Sequence, residues 1–241
     1  MISVCMATYN GARYLREQLE SIIPQLSADD EIIISDDGST DGTLEMVRAM
    51  QCPLIRIVAN GTDHGYTPNF ENALRHARGD VIFLSDQDDV WAENKVEVCL
   101  RHLERADMVI SDADLIDGDG KTIGASYHLL RGSRPGWLAN AVRFAYLGCF
   151  MAFRRRVLDR ALPFPDNHRY CTHDNWLGLV AMTFYHTVVI DDCLIHYRRH
   201  DTNASQGGLR KTTSMRFKLC YRLYLLRKLI TRLNPQSPQN P

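Results

Sequence analysis

The chain has 241 residues, 45% of them apolar and 24% charged, which suits one large α/β domain with a substantial core. A formal net charge of −1 conceals an asymmetry: from Leu209 onward Arg210, Lys211, Arg216, Lys218, Arg222, Arg227, Lys228 and Arg232 stand with no acidic residue among them. An acidic body with a basic tail argues against nucleic-acid binding by the body and sets the tail apart as a separate contact surface.

Met1-Ile2-Ser3-Val4-Cys5 has no basic leader region and runs into a turn at Asn10-Gly11, so it reads as a first strand, Ile2 to Ala7, and not as a signal peptide. Helical spacing follows from Ala12 to Ile23, ended by Pro24, and Glu31 to Ser35 is a second apolar run. Ser39-Thr40-Asp41 supplies N-cap chemistry for a helix through Met50. Leu54 to Val58 is a strand, Pro68 to Ala77 a helix, Val81 to Leu84 a strand, Trp91 to Glu104 a helix and Met108 to Ser111 a strand. This alternation predicts a mostly parallel, Rossmann-like sheet flanked by helices, with ligands bound beyond the carboxyl ends of the strands.

Farther on, Asp117-Gly118-Asp119-Gly120 is a turn of hairpin type, and Leu147 to Phe153 reads as a strand entered through Gly148. A helix is expected from Asp174 to Thr183, with strands near Val188 and Ile195. The simplest partition is a domain over residues 1–205 and a helical extension over 206–241, whose last eight residues are expected to be disordered. The seven cysteines, odd in number and without a CxxC pair, fit a reducing compartment better than a disulfide framework or a zinc ribbon. No run of about 18 apolar residues occurs, so no membrane span is expected. The expected location is cytoplasmic, or peripheral on the cytoplasmic face of the inner membrane.

Three acids crowd into Asp86-Gln87-Asp88-Asp89 at a predicted strand end, where their mutual repulsion calls for a cation or for solvent. Two readings fit: an oxygen-rich site for Mg²⁺ or Mn²⁺, or a solvated acidic loop capping the next helix, with Asp89 as the cap. Asp36-Asp37 opens a second loop at a neighbouring strand end, where a carboxylate can accept hydrogen bonds from a base N–H or a ribose hydroxyl. Ser39 to Asp41 in that loop are read as helix-capping residues.

Taken together, Ala7-Thr8-Tyr9-Asn10-Gly11, Ser35-Asp36-Asp37-Gly38-Ser39-Thr40-Asp41-Gly42-Thr43 and Leu84-Ser85-Asp86-Gln87-Asp88-Asp89-Val90-Trp91 resemble the family 2 glycosyltransferases of the GT-A fold. The resemblance covers roughly residues 1–205 and is nearest to the bacterial rhamnosyltransferase type that builds surface polysaccharides. It implies that Thr8 and Tyr9 border the nucleobase, that Asp37 binds base or ribose, and that Asp86 faces the ribose and metal region. It further implies that Asp88 holds the divalent cation (Mg²⁺ or Mn²⁺). Gly148 then stands for the glycine loop near the donor sugar, although a glycine starting a strand explains it equally. His173-Asp174-Asn175-Trp176 resembles the family's acidic motif, which makes Asp174 the general base, with His173 where many relatives have Glu; an N-cap is its other reading. Tyr197-Arg198-Arg199-His200-Asp201-Thr202-Asn203 resembles the segment that supplies a histidine to the metal, here His200 in preference to His196.

The implied reaction is inverting transfer of a sugar from a nucleoside-diphosphate donor to a hydroxyl of a glycan or lipid-linked glycan, with dTDP-rhamnose the favoured donor. Arg198, Arg199 or His200 would help to stabilise the departing diphosphate. The alternative is a sugar-nucleotide- or carbohydrate-binding protein without turnover. A dinucleotide-binding oxidoreductase is disfavoured, because Tyr9-Asn10-Gly11-Ala12-Arg13 stands where GxGxxG is needed. In the tail, Met215, Leu219, Leu223, Leu226, Ile230 and Leu233 share one helical stripe, blurred by Tyr221, Tyr224 and Leu225. Such a basic helix fits an anionic membrane surface, the protein body or a second copy in a homodimer.

Overall fold

The computed structural model describes residues 1–61, 63–200 and 214–233. Its first apolar runs become the strands they predict. β1 (Ile2–Thr8), β2 (Glu31–Asp36), β3 (Ile55–Ala59) and β4 (Val81–Ser85) pair in parallel in the order β3-β2-β1-β4. β1, β2 and β4 are buried on both faces, which is why they read as unbroken apolar runs instead of alternating ones. The intervening helices are α1 (Leu15–Ile22), α2 (Thr43–Ala49) and α3 (Tyr66–His76).

The expected helix from Trp91 is shorter than predicted. Val90–Trp91 is instead a short strand, β5, and α4 begins at Lys95 with Asn94 at its N-cap. Trp91 is buried with its ring 5.4 Å from that of Phe83, and β5 pairs with residues a hundred positions onward, so tertiary contacts override the local helical preference.

Beyond β4 the sheet continues through β6 (Met108–Ile116), β7 (Thr122–Gly124), β8 (Met151–Arg154) and β9 (Thr187–Arg198), in the order β4-β8-β6-β9-β5, with β7 beside β6. β8 is antiparallel to both β4 and β6, while β6 and β9 are parallel. The sheet is therefore mostly parallel, with β5, β7 and β8 running against the rest. The two strands expected near Val188 and Ile195 are one long strand, β9. The Asp117 to Gly120 turn joins β6 to β7, with Gly120 at φ 82°. Leu147 to Phe153 is not a single strand: residues Gly148–Phe150 form a 3₁₀ turn before β8.

The remaining helices are α5 (Tyr127–Arg131), α6 (Trp137–Arg143), α7 (Arg155–Ala161), α8 (His173–Phe184) and α9 (Met215–Ile230). One contiguous apolar core joins both halves of the sheet and includes Tyr221, Leu225 and Leu229 of α9. Of the three residues that blur the tail's amphipathic pattern, Tyr221 and Leu225 turn inward and Tyr224 is half-buried. The stripe singled out in the sequence faces outward, with Met215, Leu219, Leu223, Ile230 and Leu233 exposed and Leu226 half-buried. The 205/206 boundary and the last eight residues, 234–241, lie outside the described residues. Among the described residues no helix is long and apolar enough to cross a membrane.

Candidate active site

The loops after β1, β2 and β4 meet on one edge of the sheet. Polar residues there lock the first two loops together: Asn10 N–H donates to Ser39 Oγ (2.8 Å), Gly11 N–H to Thr43 Oγ1 (2.9 Å), Ala12 N–H to Asp41 Oδ2 (3.0 Å) and Thr40 N–H to Asn10 Oδ1 (2.9 Å). Asn10 adopts φ 48°, a left-handed conformation that asparagine tolerates. Ser39, Thr40 and Asp41 are thus cross-links between loops. The helix they were expected to cap starts at Thr43 behind Gly42, which has φ 90° and offers no side-chain cap. Thr8 is buried, its hydroxyl donating to Asp36 Oδ2 (2.9 Å), and Asp36 also accepts from Gly38 N–H and Ser39. Asp36 therefore shapes the loop, whereas Asp37 projects into the cleft. Burial works to raise the Asp37 pKa, but donors from Gly65 N–H, Asn60 and His64, each at 2.8 Å, outweigh it and hold the group below the usual aspartate value.

After β4, Gln87 clamps the backbone of Tyr9: Tyr9 N–H donates to Gln87 Oε1 (2.9 Å), and Gln87 Nε2 donates to Tyr9 O (3.0 Å). The residue between the acids is no spacer. A Cβ on Gly11 would lie 2.4 Å from Gln87 Oε1, so this clamp requires glycine there. Asp86 is pushed up to about 7, by burial first and then by the charge of Asp88. Asp89 is fully buried; burial and the neighbouring acids raise its pKa well above the usual value. It caps no helix. Its Oδ1 accepts the Arg198 N–H (3.0 Å), tying the acidic loop to the end of β9.

Two buried cations support this loop. Lys95 donates from Nζ to Cys149 O (3.0 Å) and stands 4.8 Å from the Trp91 ring; burial draws its pKa down while Asp89 and Asp86 pull it up. Nothing in the sequence marks Lys95, a lysine in a helix without a charged partner at helical spacing. Arg198 donates to the Asp88 carbonyl (2.8 Å) and to Glu17 Oε2 (2.6 Å) and packs against Tyr14. Its side chain is buried and braces the loop from within.

His200 Nε2 lies 2.8 Å from Asp88 Oδ2, with its ring 4.8 Å from that of Tyr14. A carboxylate oxygen and an imidazole nitrogen are thus in direct contact, a hydrogen-bonded pair of potential ligand atoms. Ligand bonds of about 2.1 Å to one ion hold adjacent donors about 3 Å apart, so the pair fits Mg²⁺ or Mn²⁺. A second group, Asp86, Asp89 and Cys149, brings ligand atoms within 4.8 Å of one another. That set is less suited to such ions, since burial keeps the Cys149 thiol protonated. His196 pairs with Asp114 (2.7 Å) and lines a different hollow.

From the second half of the chain, α8 begins at His173 with Asp174 in its first turn and Thr172 at the N-cap, so Asp174 does not cap the helix. His173 is buried, its ring stacked 4.1 Å from Phe70, and burial lowers its pKa and keeps it neutral. A Cβ on Gly148 would stand 2.6 Å from His173 Nε2, so the histidine ring demands glycine at that position. From α9, the Tyr221 hydroxyl accepts from Asn175 Nδ2 (2.8 Å) and lies 3.2 Å from Thr172 Oγ1, bracketing Asp174.

Thr8, Tyr9, Asp37, Asp86, Asp88, Gly148 and Asp174 all line one cleft of about 550 Å³, with His200 beside Asp88 at its edge. Tyr66, Tyr127, Arg131, Phe144 and Tyr146 also line the cleft and carry no motif in the sequence.

Residues 3–162 match the family model "Glycosyl transferase family 2". The chain is 30% identical over 217 residues to the dTDP-rhamnosyl transferase RfbG of Shigella flexneri, covering 82% of this chain and 72% of that one. Among solved structures, TarS of S. aureus in complex with UDP-GlcNAc superimposes with a TM-score of 0.71 at 18% identity, over 99% of this chain and 68% of that one. The mannosyltransferase PcManGT from Pyrobaculum calidifontis, in complex with GDP-Man and Mn²⁺, gives a TM-score of 0.62 at 20% identity, over 96% of this chain and 73% of that one.

Proposed function

The chain belongs to glycosyl transferase family 2, and from that membership we propose that it is an inverting glycosyltransferase of cell-surface polysaccharide synthesis. It takes a sugar from a nucleoside-diphosphate donor and attaches it to a hydroxyl of a glycan or lipid-linked glycan. The observation that carries this reading is the convergence of Asp37, Asp86, Asp88 and Asp174 on one cleft.

Thr8 and Tyr9 border the base, Asp37 receives hydrogen bonds from base or ribose, and Asp86 faces the ribose. Asp88 and His200 would hold Mg²⁺ or Mn²⁺, and the ion would supply positive charge against the negative charge developing on the departing diphosphate. Asp174 accepts the proton of the acceptor hydroxyl as its oxygen bonds to the anomeric carbon. The bond from that carbon to the phosphate oxygen breaks, and the nucleoside diphosphate leaves on the opposite face. Cleft walls fixed on both sides of the reacting atoms supply orientation. The match to RfbG favours dTDP-rhamnose as donor, and a nucleotide-sugar donor of this kind would place the reaction on the cytoplasmic side of the membrane.

A panel of nucleotide sugars, tested with Mn²⁺ and with a chelator, checks the reading. dTDP-rhamnose is expected to raise the melting temperature most, and only with the ion present. Asp88→Ala should abolish the ion dependence. Asp174→Asn should keep donor binding but lower transfer about 100-fold or more. Full transfer by Asp174→Asn would place the base elsewhere, and stabilisation by no donor would remove the transferase reading.

A further inference from the structure

We infer that α5, α6 and α9 together form a docking face for an anionic lipid bilayer, beside the mouth of the cleft. This deepens the lipid-linked-acceptor reading and rests on it for its biological meaning, but not for its physical argument. Leu129 and Leu130 on α5, Leu138 and Val142 on α6, and Leu219 and Leu223 on α9 are each at least 56% exposed. Met215, Ile230 and Leu233 continue the α9 stripe. Scattered exposed leucines need no explanation, but this many on three neighbouring helices does.

The helices are contiguous. Arg143 at the end of α6 reaches to 3.1 Å from where a Cβ on Gly132 would stand, just past α5. Tyr146 donates to the Arg134 carbonyl (2.9 Å), drawing in the same connection. Arg222, on the flank of α9 next to the leucine stripe, donates to the Ala141 carbonyl (3.0 Å), and Tyr221 packs on Phe144 at 5.4 Å.

Charge selects the occupant. No acidic residue occurs between Lys121 and Leu158, or anywhere after Asp201, whereas Arg131, Arg134 and Arg143 lie in the first stretch and Arg216 and Arg227 stand exposed on α9. Asp166, which pairs with Lys228, sits on the opposite flank of α9 from Arg222. A two-fold contact between copies would set this cationic surface against itself. Exposed leucines and arginines on three helices that themselves carry no acid match the interface of an anionic bilayer, where the apolar side chains enter and the cations meet phosphate. Tyr127, Arg131 and Phe144 also line the cleft, so docking by this face brings the bilayer to the cleft's rim.

The test sediments the full chain with vesicles of phosphatidylcholine alone or mixed with phosphatidylglycerol, at low and high salt. The chain should bind the anionic vesicles, and bind them less as salt rises. The double variants L138E/V142E and L219E/L223E should each weaken binding about tenfold or more while melting and donor hydrolysis stay unchanged. Absence of binding by the unaltered chain, or binding by both variants as tight as by the unaltered chain, overturns the proposal. A dimer seen by light scattering that these variants dissociate, without vesicle binding, assigns the face to a second copy. Donor hydrolysis without vesicle binding defeats only this inference; vesicle binding without donor hydrolysis defeats only the transferase reading.

Discussion

Gly148 and His173 are 25 positions apart in the chain, and each explains the other. The histidine ring stacks on Phe70 and fills the space a Cβ at 148 would need. Gly148→Ala should therefore destabilise the fold by about 1–3 kcal/mol through overpacking. In a His173→Ala background the cost should largely disappear, a coupling that a double-mutant cycle of thermal or urea unfolding measures directly. A glycine retained for its backbone alone would show no such coupling. At this scale the sequence exposes residues that sit in motifs and hides those whose meaning is a contact. Asp88 and Asp174 stand out because carboxylates at a strand end and a helix start have chemistry of their own. Lys95 and Gln87 do not, since one is an unremarkable helical lysine and the other an amide between acids. Only folding places them against Cys149 and Tyr9.

Elements show the same division. β1, β2 and β4 are legible because burial on both faces leaves no polar position to confuse the pattern. β5 is not, because two residues acquire strand geometry solely by pairing with β9. The rotation of α9 is also illegible: its apolar residues surround the helix, and its orientation is decided by aromatic packing and by the Tyr221 hydroxyl's partners on α8. Arg198 is the joint between β9 and the acidic loop, and its fork serves the Asp88 carbonyl and Glu17 together. Arg198→Lys keeps the charge but loses that geometry. The variant is expected to melt lower, by the equivalent of about 2–4 kcal/mol, and to bind Mn²⁺ more weakly, both readable by calorimetry. An unchanged ion affinity would mean that Asp88 is held in place without it.

For the molecule as a whole, the parallel half of the sheet contains a buried carboxylate that makes stability depend on pH. Glu31 accepts from Ser3 Oγ and Arg78 N–H, both at 2.7 Å, and from Arg56 at 3.0 Å. Burial works to raise its pKa, and these donors outweigh burial, leaving it below its ordinary value of 4.5. A carboxylate with a depressed folded pKa contributes stability that is fully present above its unfolded value and is lost as pH falls through the folded one. Glu31→Gln should thus cost about 2 kcal/mol at pH 7 and progressively less in acid below the ordinary glutamate range, as urea titrations of both proteins would report. A penalty independent of pH would reassign the effect to packing.

Tyr221 sits between two of these scales. Its ring belongs to the core contact of α9, and its hydroxyl grips Thr172 and Asn175 on either side of Asp174. The helix that presents leucines outward is therefore wired to the residue proposed to accept the proton. Linkage would make that connection reciprocal: were an acceptor to order residues 172–175 and so tighten α9 on the body, a surface that holds α9 still would tighten acceptor binding by the same factor. An enzyme so arranged would measure, through one phenol, whether it has arrived where its substrate is kept.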